Sequence, residues 1–275
     1  MPRLIRAALE RAGVEDAGRV SSGVDVVGDI AIVRLEDFSV SEKRKIAGAL
    51  LEEFKNLRVV MEQKGGVEGE YRLRKLRHLA GENRSMTVHR ENGCSFRVDV
   101  AKCYFSPRLS TERLRIAGAV KPKERVLNMF AGVGPFSIPI AKLRGAEVTS
   151  CELNEYAARL HLENDALNKV DKLIEVVNVD AADLPKTTKR KFDRVLMPLP
   201  SEADRFLSTA IVMAKKGGTI HYYRHVLGEN NVEAASSLSE ELRALLPPRA
   251  VFTTRRVREV GPRWVEMSAE IHTPG

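Results

Sequence analysis

Residues 128–136 read Asn-Met-Phe-Ala-Gly-Val-Gly-Pro-Phe, and this glycine-containing turn decides the fold of the larger part of the chain. A short apolar strand precedes the turn, and apolar residues at helical spacing follow it as far as Leu143. Strand, glycine turn and helix in this order are typical of a doubly wound α/β sheet, in which a ligand binds where the strand ends and the helix begins. Gly132 and Gly134 allow close approach of the backbone to such a ligand. The stretch therefore predicts a Rossmann-like sheet.

The same alternation of strand and helix continues towards the C-terminus. Strands are predicted at 125–128, 147–151, 174–178, 194–197 and 219–223, with a helix at 156–168. The last two apolar segments, 250–260 and 264–271, are predicted to form an antiparallel hairpin at one edge of the sheet. The predicted fold class is α/β, a doubly wound sheet with an antiparallel edge hairpin, preceded by a small α/β domain.

The first 105 residues have a different pattern, and we predict that they form this small α/β domain. Their predicted elements are helices at 3–12 and 41–54, the latter capped by Ser39 or Ser41, a strand or hairpin at 24–35, a strand at 58–62, a glycine-rich turn starting at Gly65-Gly66, and a hairpin of 86–89 with 95–100 across Asn92-Gly93. Ser106-Pro107 then predicts a capped helix over 108–120. We place the second domain at 106–275.

The composition excludes several classes of protein. The 275 residues contain no apolar run of the roughly 18 residues that a membrane span needs, and no signal-peptide pattern follows Met1. Three scattered cysteines predict neither a disulfide framework nor a zinc site, and His78, His89, His221 and His225 show no ligand spacing, so we predict no metal. A net charge of +8 indicates a polyanionic partner, most simply nucleic acid. We expect a cytoplasmic monomer that does not bind membranes.

Acidic residues after the next two strands indicate which ligand the turn binds. By itself, Gly-Val-Gly also fits a simple tight turn. However, Glu152 follows the second strand and can accept both hydroxyls of a ribose, and Asp180 follows the third strand as a candidate partner for an adenine amino group. Pro135 stands where a dinucleotide fingerprint has other residues, and it offers no amide to a pyrophosphate. The pattern suits S-adenosylmethionine better than NAD.

Several sequence blocks resemble a known family. They are Gly-Glu-Tyr-Arg-Leu-Arg at 69–74, Val-His-Arg-Glu-Asn-Gly at 88–93, Val-Asp-Val-Ala-Lys-Cys-Tyr-Phe-Ser-Pro-Arg at 98–108, the turn at 130–136, Asp-Arg-Val-Leu-Met at 193–197 and Gly-Gly-Thr-Ile-His-Tyr-Tyr at 217–223. Together they resemble the archaeal and eukaryotic tRNA (guanine-37-N1)-methyltransferases and their relative, the wybutosine-pathway aminocarboxypropyltransferase. The resemblance runs from about residue 24 to 271, and it implies a class I methyltransferase domain acting on the anticodon stem-loop of tRNA.

The resemblance also implies roles for individual residues. Glu112 matches the general base that takes the proton from guanine N1, and Arg72, rather than Arg74, matches the arginine facing the guanine. Arg108 lies four residues before Glu112, a spacing that predicts a shared helix face; taken alone, it also fits a solvated ion pair. An arginine near guanine O6 would stabilise developing negative charge. The predicted cofactor site comprises Tyr104, Phe130, Ala131, Gly132, Val133, Gly134, Pro135, Phe136, Glu152, Leu153, Asp180, Ala181 and Pro198.

The chain departs from the family pattern at Pro198. Methyltransferases of the family carry Asn-Leu-Pro after the fourth strand, whereas this chain reads Met197-Pro198-Leu199-Pro200, so base recognition must be altered or supplied by Ser201 or Glu202. We also expect that the N-terminal part has no room for the tRNA-elbow domain that many members carry. Candidate RNA-binding clusters are Arg72, Arg74, Lys75 and Arg77; Lys186, Lys189, Arg190 and Lys191; and Arg255, Arg256 and Arg258.

Alternative functions stay open on the sequence alone. Retention of Arg108, Pro135 and Phe136 favours methyl transfer over aminocarboxypropyl transfer, whereas Pro198 favours a wyosine-pathway enzyme, including one that methylates a tricyclic precursor. A non-enzymatic RNA-binding protein would not need the intact turn with both acids. An amino-methylating enzyme would carry Asn-Pro-Pro-Tyr instead of Met-Pro-Leu-Pro.

Overall fold

The computed structural model describes residues 2–15 and 24–274. The chain divides into two compact units, Met1–Thr111 and Glu112–Gly275. This division falls a few residues after the boundary that the sequence analysis places between 105 and 106. Within the described ranges, no helix is long and apolar enough to cross a membrane.

The first unit combines a mixed sheet with two helices and a separate hairpin. Its elements are α1 (Pro2–Ala12), β1 (Asp25–Val27), β2 (Ile30–Val33), α2 (Val40–Glu53), β3 (Val59–Glu68), β4 (Leu73–Gly81), β5 (Met86–Glu91) and β6 (Cys94–Asp99). The sheet has the order β1-β2-β3-β4, in which only β2 and β3 run parallel. Ile5 and Leu9 of α1 pack with Ile46 and Leu50 of α2 in its core.

Two local predictions for this unit are confirmed. Ser39 caps α2 through a reciprocal capping box with Glu42, whose side chain accepts from the Ser39 amide. Asn92 and Gly93 form the two-residue turn of the β5–β6 hairpin, with φ values of 48° and 72°. Positive φ at both positions is what a type I′ hairpin turn requires, and Asn-Gly accepts it readily.

The prediction of a glycine-rich turn that starts at Gly65-Gly66 is wrong. β3 continues through both glycines to Glu68, and the chain reverses only afterwards, with the Arg72 amide donating to the Gly69 carbonyl. The register of β3 against β4 shifts between Lys64 and Val67, so the glycines form a bulge within the ladder. The Gln63 side-chain amide donates to the Gly65 carbonyl and stabilises this bulge.

The helix predicted over 108–120 begins differently from the expectation. Pro107–Leu109 form a 3₁₀ turn, and the α-helix α3 runs from Ser110 to Ala119. The Ser106 side chain makes no capping hydrogen bond, so that part of the prediction is wrong. The 3₁₀ turn has about three residues per turn, which changes the direction in which its side chains point relative to those of α3.

The second unit confirms the predicted doubly wound fold. Its described strands are β7 (Arg125–Asn128), β8 (Glu147–Cys151), β9 (Ile174–Val177), β10 (Phe192–Met197), β11 (Ala214–Leu227), β12 (Val251–Gly261) and β13 (Trp264–His272). They form one sheet in the order β12-β13-β11-β10-β7-β8-β9, in which β13 runs antiparallel to both neighbours. The helices are α4 (Ser137–Arg144), α5 (Glu155–Leu167), α6 (Leu184–Thr187), α7 (Ala203–Met213) and α8 (Asn231–Leu245).

The strand order determines where a ligand can bind in this unit. The chain starts the sheet at β7 and builds it outward in both directions, because β7 pairs with β8 on one side and β10 on the other. In folds of this kind a ligand binds beyond the carboxyl end of the strand at the topological switch point, which here is β7. The turn 130–136 lies at this end of the strand.

Candidate active site

The glycine turn is fastened to the neighbouring strand at the switch point. The Ala131 amide donates to the Cys151 carbonyl at the end of β8, and the Gly134 amide donates back to the Ala131 carbonyl. Gly132 and Gly134 have φ values of 53° and 91°, in a region that favours glycine. The turn is therefore tightly wound and leads directly into α4.

Glu152 lies beside this turn, as the sequence predicts for a residue that binds the cofactor. Its two carboxylate oxygens accept hydrogen bonds from the backbone amides of Gly132, at 2.6 Å, and Asn154, at 2.8 Å. Burial raises the pKa of this carboxyl, and the backbone hydrogen bonds act in the opposite direction. An ionised carboxylate can accept about four hydrogen bonds, so acceptor positions remain for ribose hydroxyls.

Asp180 and Asn178 shape the end of β9. Asp180 caps the short 3₁₀ turn Ala181–Asp183 by accepting from the Ala182 amide at 2.8 Å. The Asn178 side-chain amide donates to the backbone carbonyls of Glu152 and Leu153. Asn178 is missing from the sequence-based set, although a polar side chain directly after a predicted strand is a usable signal. It links the two acidic segments.

Buried polar residues of α5 lie against the glycine turn and support it, and they are missing from the set of residues predicted from the sequence. The Asn164 side-chain amide donates to the Val133 carbonyl at 3.0 Å. His161 is fully buried, and its Nε2 lies 3.4 Å from Asp165 Oδ1. Burial lowers the pKa of His161 to about 3 and raises that of Asp165 to about 8, so both side chains are neutral near pH 7. Their spacing, i and i+4 on the inner face of a helix, was the available signal.

Glu112 is joined to the turn through an aromatic residue of β11. The Tyr223 hydroxyl donates to Glu112 Oε1 at 2.7 Å, and the Tyr223 ring centroid lies 6.2 Å from that of Phe136. The guanidinium of Arg113 also lies over the Phe136 ring, 5.9 Å from its centroid. Only 6 % of Glu112 is exposed. The structure thus places the predicted general base and the predicted cofactor turn in one cluster.

Arg115 fixes the Glu112 carboxylate from the same helix. Its Nη2 and Nε donate to Glu112 Oε1 and Oε2, at 2.7 Å and 2.8 Å, and its Nη1 donates to Glu270 at 2.9 Å. These acidic partners raise the pKa of the Arg115 guanidinium further above its usual range. A planar guanidinium holding a carboxylate with two bonds is a geometrically specific pair.

A buried histidine stands behind Glu270. Arg194 Nη1 donates to His221 Nε2 at 2.6 Å, so this nitrogen is the acceptor and the imidazole proton is on Nδ1, which lies 3.7 Å from Glu270 Oε1. Burial lowers the pKa of His221 well below its usual range. Arg194 is itself paired with Glu124 at 2.9 Å.

The predicted shared face of Arg108 and Glu112 is wrong. Arg108 Nε donates to Asp25 Oδ1 at 2.6 Å, while the guanidinium partner of Glu112 is Arg115. The 3₁₀ turn at 107–109 explains the difference, because residues four apart share a face only when both belong to continuous α-helix.

Within the first unit, the structure brings Arg72 and Tyr104 together. The Arg72 guanidinium lies 5.9 Å from the centroid of the Tyr104 ring. Arg74 has a different environment: its side chain is 7 % exposed and donates to Asp25, Gln63 and the Phe105 carbonyl. These contacts support the choice of Arg72 over Arg74 for contact with a substrate.

Pro198 follows β10 and begins a tight bend in which the Leu199 amide donates to the Met197 carbonyl at 2.8 Å. Glu202, one proposed substitute for the missing asparagine, accepts from Arg205 at 3.1 Å. Phe130 packs edge-on against Phe206 of α7, at a centroid distance of 5.0 Å.

The predicted basic clusters are largely paired with acidic side chains. The pairs are Arg74–Asp25, Lys75–Glu68 and Arg77–Glu62 in the first cluster, Lys186–Asp183 and Arg190–Glu175 in the second, and Arg256–Glu259 and Arg258–Glu266 in the third. Much of their charge is therefore compensated locally.

Comparison with known proteins assigns this arrangement to a family. Residues 87–243 match the TRM5/TYW2 methyltransferase domain, and residues 5–84 match the TYW2 N-terminal domain. The chain belongs to the TRM5/TYW2 methyltransferase family. The family resemblance seen in the sequence is thereby confirmed.

Three relatives show the range of the family. The tRNA (guanine(37)-N(1))-methyltransferase Trm5b of Pyrococcus abyssi is 43 % identical over 72 % of this chain and 58 % of its own length, so the chain spans less than two thirds of that relative. The tRNA 4-demethylwyosine(37)-methyltransferase Taw21 of Saccharolobus solfataricus is 34 % identical over 94 % of this chain and 96 % of its own. The crystal structure of Methanocaldococcus jannaschii Trm5 in complex with adenosine superimposes with a TM-score of 0.78, at 33 % identity, over 94 % of this chain and 76 % of that one.

Proposed function

We propose that the protein is an S-adenosylmethionine-dependent methyltransferase that transfers a methyl group to N1 of guanine 37 in tRNA. The observation that carries the proposal is the link from Glu112 through Tyr223 to Phe136, which puts a buried carboxylate next to the cofactor turn. Relatives that act on guanine 37 and a neighbour that binds adenosine support the choice of substrate and cofactor.

The cofactor fits the residues present at the switch point. Glu152, beside the Gly132 amide, and Asp180, at the start of the next short helix, offer carboxylates for ribose and adenine. The cofactor supplies a methyl group on a sulfonium. The other predicted lining residues are Tyr104, Phe130, Ala131, Gly132, Val133, Pro135, Phe136, Leu153, Ala181 and Pro198.

The chain's own residues would handle charge and protons during transfer. Glu112 takes the proton of guanine N1 as a general base, a role that contributes about 10²–10⁴-fold in rate. Arg72 and Arg108 face the base and stabilise negative charge on O6. The small N-terminal domain recognises the anticodon stem-loop, and we propose that the enzyme works as a monomer in the cytoplasm, where it meets tRNA.

A second candidate substrate is a tricyclic wyosine precursor at the same position of tRNA. Two features favour it: the match to Taw21 extends over nearly the whole of both chains, and Pro198 stands in place of the asparagine that, by the family resemblance, would contact guanine. The methyl chemistry and the site would be unchanged.

The test is incubation with S-adenosylmethionine labelled either in the methyl group or on the carboxyl side, followed by mass spectrometry of the tRNA nucleosides. Unmodified tRNA and tRNA carrying the tricyclic precursor are supplied separately. We expect the methyl label in 1-methylguanosine at position 37. Label from the carboxyl side would indicate aminocarboxypropyl transfer, and label only in the tricyclic nucleoside would establish the second candidate instead.

The matched variants are Glu112→Gln and Glu147→Gln. Loss of the base should reduce kcat by about 10²–10⁴-fold, while Glu147, exposed at the start of β8, should be silent. Cofactor binding by calorimetry confirms that each variant is folded. A Glu112→Gln enzyme with normal kcat would eliminate the proposed base.

A further inference from the structure

The two carboxylate oxygens of Glu112 accept different numbers of hydrogen bonds from Tyr223 and Arg115. Oε1 accepts two hydrogen bonds, from the Tyr223 hydroxyl and Arg115 Nη2, both at 2.7 Å. Among the described residues, Oε2 has one recorded donor, Arg115 Nε at 2.8 Å. Since each carboxylate oxygen offers about two acceptor positions, Oε1 is saturated and Oε2 keeps one position.

We propose that Tyr223 and Arg115 are positioning residues that fix the orientation of the Glu112 carboxylate and reserve its Oε2 for the proton of the target base. This inference rests on the proposed function and assigns the reacting atom within it. In the transfer step the N1–H bond breaks and the proton goes to Oε2. The N1 electron pair forms the bond to the methyl carbon, while the carbon–sulfur bond breaks and leaves its electron pair on sulfur.

Neither positioning residue competes for the proton. Burial and the nearby Glu112 raise the pKa of Tyr223 well above its usual range, so the phenol stays protonated and continues to donate. An arginine side chain remains charged in proteins and serves as a fixed donor. Glu112 Oε2 is therefore the atom that accepts the proton, and three hydrogen bonds fix the orientation of this carboxylate.

Two further residues, Glu270 and His221, help to fix the position of Arg115. Glu270 of β13 binds its Nη1 at 2.9 Å, and His221 of β11 faces the same Glu270 carboxylate with its Nδ1. The charged and titratable groups of this unit around Glu112 are thus Arg113 and Arg115 of α3, His221 and Tyr223 of β11, and Glu266 and Glu270 of β13.

The decisive variant is Tyr223→Phe, with Tyr222→Phe as its matched control. Tyr222 is also buried in β11, but its hydroxyl donates to Glu241 at 2.9 Å. A hydrogen bond to a charged group contributes about 1.5–3 kcal/mol, which corresponds to a shift of one to two pH units. Tyr223→Phe removes a hydrogen-bond donor to the ionised form of Glu112. The acidic inflection in the plot of kcat against pH should therefore move to higher pH by about one unit or more.

At pH values below the acidic inflection of the profile, kcat of Tyr223→Phe should be about tenfold or more lower than that of the wild type. At pH values above the inflection, kcat of the variant should return to the wild-type value. The Tyr222→Phe profile should coincide with that of the wild type, and KM for both substrates should be unchanged in either variant. A carbon NMR titration of the Glu112 carboxyl in the unliganded protein, assigned by its loss in Glu112→Gln, should show the same upward shift without any turnover.

Two further variants separate positioning from general structural support. If Tyr223 acts through Glu112, the double variant Glu112→Gln/Tyr223→Phe should be no slower than Glu112→Gln alone. Arg115→Lys keeps the charge but loses the two-bond geometry, so kcat should fall at every pH. An active wild type whose pH profile is unchanged by Tyr223→Phe would overturn this inference, whereas a wild type that transfers no methyl group to tRNA would overturn the proposed function instead.

Discussion

Gly134 lies against the imidazole of His161 so closely that a Cβ on the glycine would stand 2.6 Å from Nε2. Such a distance is far inside van der Waals contact, and the imidazole is fully buried, so it cannot move aside without disturbing α5. The glycine is therefore required both by its φ of 91° and by the space it leaves.

We expect Gly134→Ala to weaken S-adenosylmethionine binding by about 5- to 150-fold, since strain of about 1–3 kcal/mol falls directly on the cofactor turn. Isothermal calorimetry measures the effect. Gly145→Ala is the control, because Gly145 also has positive φ, 59°, at the end of α4 but has no atom within 4 Å of a built Cβ. It should reduce thermal stability and leave cofactor affinity unchanged; equal affinities in the two variants would contradict the role given to His161.

The buried Asp165 makes stability depend on pH. Its pKa is raised from 3.8 to about 8, so the folded protein binds a proton that the unfolded chain releases, and stability decreases as pH rises from about 4 to about 8. Asp165→Asn removes this dependence. The gain in Tm of Asp165→Asn over the wild type should therefore be larger at about pH 8 than at about pH 5. Glu163→Gln, exposed on the same helix, should show no such trend; a gain that is constant with pH would contradict the assignment.

Arg72 and Arg74 should separate function from folding. Arg74→Ala removes the partner of Asp25 Oδ2 while Arg108 still binds Oδ1, and it should destabilise the protein by about 1–3 kcal/mol. Arg72→Ala loses a contact with the Tyr104 ring worth about 0.5–1 kcal/mol, yet under the proposed function it should lose most methyl transfer. Chemical denaturation and a methyl-transfer assay on both variants decide the matter, and the opposite ranking would assign the base contact to Arg74.

Pro198→Asn should change the choice of substrate. The variant restores a hydrogen-bonding side chain after β10, so it should increase methylation of guanosine relative to the tricyclic precursor when both tRNAs compete. Pro200→Ala, two residues further along the same bend, is the control for loosened backbone. If the product ratio is the same in all three proteins, Pro198 does not contribute to base recognition.

Local chemistry explains which parts of the fold were predictable from sequence. β7 and β8 have the predicted bounds, and the Asn92-Gly93 hairpin has the predicted turn, because strand patterning and turn residues act over a few positions. The bulge at Gly65-Gly66 depends on how β4 pairs with β3, which no local pattern reveals. For the same reason, the contacts of the site residues could not be predicted from local sequence.

Glu112 was predictable as the candidate base from a motif, but its environment was not. Tyr223, which binds it, is 111 residues away in the chain. The shift of partner from Arg108 to Arg115 followed from a 3₁₀ turn that proline favours no less than an α-helix. Contacts formed by the tertiary fold, rather than by sequence neighbours, set the geometry of the carboxylate.

Asp25 shares one carboxylate between two arginines, with Oδ2 bound to Arg74 and Oδ1 to Arg108. The arginine that stabilises the first unit and the arginine proposed to act on the base therefore depend on the same counterion. Replacement of Asp25 leaves two guanidinium groups without their shared acceptor, and replacement of either arginine leaves one carboxylate oxygen of Asp25 without its donor, so these positions are not free to evolve separately. Among related sequences, residues 25, 74 and 108 should change together, and a strong effect of Asp25 on turnover would be transmitted through Arg108 without Asp25 touching the substrate.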